Sequence, residues 1–216
     1  MNEQNTYGFN PEAITRTVNN MQNAFDTLHV NLTRGIENVF KKLADNWFAP
    51  EALTFGEDAH EKISKFYWEM RYDYVERTLL FQASCNSWAR TVGSDFYCKF
   101  PEGAALGIPF ISFKEDNNGF IGVYDQNISD INKDFEIVLN QLTEDIEKLV
   151  RAIKTDPSLY GAAQLDAFEN YVRAWKGKVS RTFTEVFNEM TTKINQTRER
   201  YQSTAQTNAQ RFSSGN

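Results

Sequence analysis

The feature that most constrains this chain is a three-and-four stepping of apolar residues, sustained along four separate stretches. One such run is Phe168, Val172, Trp175, Val179, Phe183, Val186, Met190, Ile194 and Tyr201. Apolar residues so spaced share one face of an α-helix, because 3.6 residues make a turn. The stepping passes through Trp175-Lys176-Gly177 without losing phase. Two antiparallel helices joined there would carry independent stripes, so a bend would restart the pattern. The spacing therefore predicts one helix from about Leu159 to about Thr207, with Trp175 in the core. Gly177 inside a helix costs about 1 kcal/mol relative to alanine, which burial of Trp175, Phe183 and Phe187 offsets.

Three further runs behave alike. The first is Ile14, Val18, Met21, Phe25, Leu28, Leu32, Ile36, Val39, Leu43 and Trp47. Asn10 is its expected N-cap, with Pro11 at the first helical position and Glu12 favourable to the helix dipole. The second run is Ile63, Phe66, Met70, Tyr74, Phe81, Cys85, Trp88 and Val92, with Gly93 its expected stop. The third is Ile128, Ile131, Phe135, Val138, Leu142, Ile146, Leu149 and Ile153, ending before Pro157 because the residue preceding a proline avoids helix.

The loops between runs one and two and between runs three and four share a pattern. Trp47, Pro50 and Gly56 mark the first bend; Pro157, Leu159 and Gly161 mark the second. Aligning the two glycines brings Phe55 onto Tyr160 and Met70 onto Trp175, which reads as a repeat of a helical pair. Such a pair cannot bury its stripes alone, so two pairs should pack together. The expected fold is mainly α: an elongated antiparallel four-helix bundle made of two long helical hairpins, as one domain. Residues 1–92 form the first hairpin, 93–127 an insert, and 128–212 the second hairpin. The insert has no helical period. Ile111–Phe113 and Phe120–Tyr124 flank Asn117-Asn118-Gly119, and Asn-Gly favours a β-hairpin turn. An isolated hairpin is barely stable, so it should dock on the helices or on a partner.

Composition narrows the function classes. A net charge of −6 disfavours a nucleic-acid partner, which needs a basic face. No apolar run approaches the ~18 residues of a membrane-spanning helix, and residues 1–13 have neither the basic nor the apolar region of a secretory signal. Cys85 and Cys98 stand thirteen residues apart without metal-ligand spacing. Two reduced thiols are expected, with a disulfide as the alternative in an exported protein.

Catalytic signatures are near misses. His60-Glu61-Lys62-Ile63-Ser64 begins like the zinc motif HExxH, but serine stands where the second histidine belongs. Gly103-Ala-Ala-Leu-Gly107 lacks the lysine and the preceding strand of a phosphate loop. Glu57-Asp58-Ala59-His60 is a single Glu-x-x-His, whereas the di-iron bundle pattern needs one on each of two helices, and Asp26 stands three residues before the other histidine, His29. No enzyme, metal or cofactor is expected. Helix two carries aromatics on more than one face. Trp68 and Tyr72 lie off its main stripe, as an exposed contact patch or as a second buried flank.

The Leu43-Ala-Asp-Asn-Trp47 helix end, the Leu159-Tyr160-Gly161 helix opening and the absence of a signal segment together resemble the helical domains of type VII secretion substrates. These are the WXG family and the related LXG toxin N-termini. WXG proteins are small helical hairpins that dimerise, so the resemblance implies a tandem version, monomeric or homodimeric. It implies a non-enzymatic protein, cytoplasmic before export, whose partner is the secretion machinery or a cognate helical protein. Tyr72-Asp-Tyr-Val-Glu76 fits the family's Tyr-x-x-x-Asp/Glu export pattern, although inside helix two. Trp68, Tyr72 and Glu76 are thus the expected export or partner contacts. The chain departs from the family where Phe-Ala follows Trp47, and in its insert. The alternatives are an amphipathic protein binding a membrane or lipid surface, like phasins or pore formers, and a phage or cell-surface structural subunit.

Overall fold

Asn10 caps the first helix as expected. Its Oδ1 accepts the backbone N–H of Glu12 at 3.0 Å and of Ala13 at 3.1 Å, satisfying two of the donors that a helix start leaves unpaired. The computed structural model describes residues 10–101, 103, 107–153 and 162–214. Over these the chain runs α1 (Pro11–Ala44), β1 (Trp47–Phe48), α2 (Pro50–Thr91), β2 (Gly122–Val123), α3 (Asp125–Ile128), α4 (Ile131–Ile153) and α5 (Ala162–Ser214). The protein is a mainly α helical bundle of four long helices with a small two-stranded antiparallel sheet; α3 is a single turn leading into α4.

Helix α5 is unbroken for 53 residues through Trp175-Lys176-Gly177. Trp175 is fully buried. A Cβ built on Gly177 meets nothing within 4 Å. Gly177→Ala should therefore stabilise the chain by about 0.5–1 kcal/mol, through lower unfolded-state entropy and better helix propensity. A small rise in Tm by calorimetry checks this. A fall would mean that the position needs glycine's freedom.

Two compact units organise the chain, and each takes a stretch of every long helix. The first comprises Met1–Leu32, Tyr67–Gly107 and Asn140–Arg181. Its helical stretches meet in a closed ring. Phe25 stacks on Tyr74 (α1 on α2), the Tyr74 ring meets Trp175 at 6.0 Å (α2 on α5), and Glu147 pairs with Lys176 (α4 on α5). Asn31 closes the ring by donating to Asp145 at 2.7 Å (α1 on α4).

The second unit comprises Thr33–Phe66, Ile108–Leu139 and Thr182–Asn216, with the same order of neighbours. Phe40 meets Phe55 on α2 and Phe135 on α4, both at 6.5 Å. Phe66 meets Phe183 at 5.6 Å, and Phe135 meets Phe187 at 4.4 Å. Each such fully buried side chain contributes about 1.5–3 kcal/mol of transfer free energy, which is why the apolar stepping is so regular.

Two details differ from expectation. The bend after α1 is shorter than the one read from Trp47 to Gly56, because α2 begins at Pro50, at the first-turn position where a missing N–H costs nothing. Gly56 therefore lies within α2 and not in the bend. It is small because the Phe113 ring packs against it: a Cβ there would run into that ring. The second difference is strand pairing. Asn118 (φ 55°) and Gly119 (φ 83°) make the expected tight turn, closed by the paired Asn117 and Phe120. Beyond it, however, Gly122–Val123 pairs with Trp47–Phe48, and not with 111–113. The strand docks there because Phe48 meets the rings of Phe120 and Tyr124 edge-on, at 6.3 and 5.9 Å. Trp47 stays in the bend and is buried. Pro157, Leu159 and Gly161 lie outside the described residues.

Candidate functional site

Helix α2 has two apolar faces in the first unit. Tyr67, Met70, Tyr74 and Phe81 are buried. On the other side Trp68, Tyr72, Val75 and Leu79 are 46%, 72%, 41% and 55% exposed. At 100° per residue these four fall within an arc of about 60°, so they form a straight stripe along the helix. Among the described residues of this unit, every large apolar side chain that is exposed belongs to α2 or to the segment following it. Isolated exposed apolar residues are ordinary, whereas an aligned set is the mark of a contact surface.

The sequence singles out Trp68, Tyr72 and Glu76. The structure places all three on α2 and exposes them, so Trp68 and Tyr72 are not a second buried flank. Val75 and Leu79 complete the stripe and were not singled out. Their signal is a second three-and-four phase, 68–72–75–79, running beside the core phase.

A cleft of about 520 Å³ lies along the stripe, between Trp68, Tyr72 and Val75 and the Asp73–Lys178 ion pair, whose atoms are 2.7 Å apart. A second cleft, about 470 Å³, adjoins Val75 and Leu79 and has Tyr97, Lys99 and Phe100 on its far wall. That wall is fixed to α2 by side chains. Gln82 Oε1 accepts the Phe100 N–H at 3.1 Å, and Arg71 donates to the Gly103 carbonyl at 3.0 Å. The stripe is thus an apolar centre with a charged rim of Glu69, Arg71, Asp73, Glu76 and Lys178, the layout of a protein-binding patch.

Both histidines are held by structural contacts. His29 is buried and shares a 2.6 Å hydrogen bond with the Tyr67 hydroxyl. Burial first, and then the Arg71 charge, lower its pKa below the usual histidine value, so it sits neutral in the core. His60 faces the Ile108 carbonyl at 3.1 Å and the Phe110 ring edge-on. Among the described residues of 93–127, Cys98, Phe100, Ile108 and Phe113 are buried, while Tyr97, Phe110 and Ile121 are exposed. In the second unit a groove of about 490 Å³ contains Glu51, Asp58, Lys193 and Arg200, but these pair with each other, Glu51 with Arg200 and Asp58 with Lys193. Among the described residues no three His, Cys, Asp or Glu side chains gather as a metal site would require. No described helix is long and apolar enough to cross a membrane.

Comparison of the chain with family models, with curated proteins and with solved structures finds no match.

Proposed function

We propose that this chain is a non-enzymatic helical recognition protein, a type VII secretion substrate or its adaptor, with the α2 stripe as its contact face. The observation that carries this reading is the line of Trp68, Tyr72, Val75 and Leu79, left open on a bundle whose other apolar stripes are buried. Its spacing suits a partner helix laid alongside α2, the common mode for amphipathic helices. The exposed Tyr72 and Glu76 sit one turn apart, as a Tyr-x-x-x-Glu export contact requires. The paired-helix repeat with Trp47 in its bend supports the kinship.

The test is an immunoblot of medium and lysate from host cells with and without their type VII ATPase. The expected result is ATPase-dependent protein in the medium. Replacing both Tyr72 and Glu76 by alanine should reduce that amount about tenfold or more, as loss of a hot spot does. Ile137→Ala, on an exposed side chain of the second unit, should not. Strict retention in the lysate would reject the substrate reading, and loss of the protein's stability in the lysate without its partner would then mark an adaptor. The exposed tryptophan and tyrosine also suit a membrane interface. Against that reading Glu69 and Glu76 flank the stripe, and anionic lipid would repel them. Flotation with anionic vesicles separates the two.

A further inference from the structure

Cys85 on α2 and Cys98 in the segment that follows are both buried. The segment doubles back along α2, and one side chain grips Cys98 at both backbone groups. Asn86 Oδ1 accepts the Cys98 N–H at 2.7 Å, and Asn86 Nδ2 donates to the Cys98 carbonyl at 3.1 Å. One turn earlier on α2, Gln82 holds the Phe100 N–H, and the Phe100 ring meets Phe81 edge-on at 5.9 Å. Gripped at both backbone groups, Cys98 is held beside Asn86, the residue that follows Cys85. The Cys85 S–H there donates to the Cys98 sulfur. Two buried thiols that share a hydrogen bond are neighbours, the starting arrangement for a disulfide.

We propose that Cys85 and Cys98 are an intramolecular disulfide site, one that staples residues 94–101 to α2 when the chain meets an oxidising environment. The oxidant is a low-molecular-weight disulfide such as glutathione disulfide. The Cys98 thiolate attacks it, releasing one glutathione and forming a mixed disulfide. Cys85 then attacks the Cys98 sulfur and releases the second glutathione. The two protein thiols lose two electrons and two protons, which the two departing glutathiones carry as thiols. The hydrogen bond from Cys85, acting against burial, lowers the Cys98 pKa and favours it as the first nucleophile. The stapled segment carries Tyr97 and Phe100, the far wall of the cleft beside Leu79. Oxidation therefore fixes the edge of the exposed face. The site itself does not rest on the secretion reading.

The test uses the full chain, refolded with glutathione disulfide so that access to buried sulfur is not limiting. The expected product is a monomer lighter by two hydrogens, with a Cys85–Cys98 linked peptide on non-reducing digestion. Its Tm should exceed that of the reduced chain by roughly 5–10 °C, because the cross-link closes a short loop in the unfolded state. Dithiothreitol should reverse both. Cys98→Ser should give no linked peptide while keeping a reduced-state Tm near the wild-type value. Two free thiols after refolding, links only between chains, or an oxidised Tm below the reduced one would each overturn the proposal.

Discussion

Trp175→Ala should destabilise the chain by about 3–5 kcal/mol and lower Tm on the order of 10 °C. The indole is fully buried on α5, beside Tyr74 at 6.0 Å and under the Arg77 guanidinium at 5.9 Å, so truncation opens a cavity within the first unit. Trp175→Phe should be far milder, under about 1.5 kcal/mol. It keeps most of the apolar volume and removes an indole N–H that has no hydrogen-bond partner. Thermal melts of the two variants check the pair. A bend at Trp-Lys-Gly would leave Trp175 at a loop and make both substitutions nearly neutral.

The second large effect is at Asp145. Its carboxylate is fully buried on α4 and accepts from Asn31 at 2.7 Å, Gln141 at 3.0 Å and Lys148 at 2.7 Å. Asp145→Ala removes the acceptor while leaving the Asn31 amide behind in the interface, at a cost of about 2–4 kcal/mol. Burial alone would raise this carboxyl's pKa, but the hydrogen bonds from Lys148, Asn31 and Gln141 outweigh it and hold it below the ordinary aspartate value. With the folded pKa depressed, the contribution is complete above the unfolded value near ~3.9 and disappears as pH falls through the folded value. The stability gap between wild type and Asp145→Ala should therefore be constant from neutral pH down to about 4.5 and narrow below that. Denaturant melts across that range measure it. A gap independent of pH would mean that Asp145 acts through packing alone.

The helices were legible because each buries one stripe, and one stripe leaves a period in the chain. Gly177 posed the sharpest local conflict, and the unbroken phase from Trp175 to Val179 resolved it correctly. Gly56 was misplaced for the opposite reason. Nothing near it in sequence reports that Phe113, more than fifty residues away, packs against its backbone. The Asn118-Gly119 turn was readable because turn geometry is local. The pairing of Gly122–Val123 with Trp47–Phe48 was not, since strand partners are chosen by distant packing.

The candidate face follows the same division. Trp68 and Tyr72 stood out as aromatics off the core phase, while Val75 and Leu79 look like any half-buried helix residue until the neighbouring elements are placed. Likewise the thirteen-residue spacing of Cys85 and Cys98 has no meaning until Asn86 brings the segment back.

The most direct test of the central claim, that the α2 stripe is where this chain meets its partner, is site-specific photo-crosslinking in the native host. A benzophenone amino acid replaces Tyr72 in one variant and Ile137 in another, both positions being exposed. The stripe reading predicts a discrete covalent adduct from position 72, absent from position 137 and abolished by Leu79→Asp on the same stripe. Equal adducts from both positions, or an adduct at 72 that survives Leu79→Asp, would contradict it.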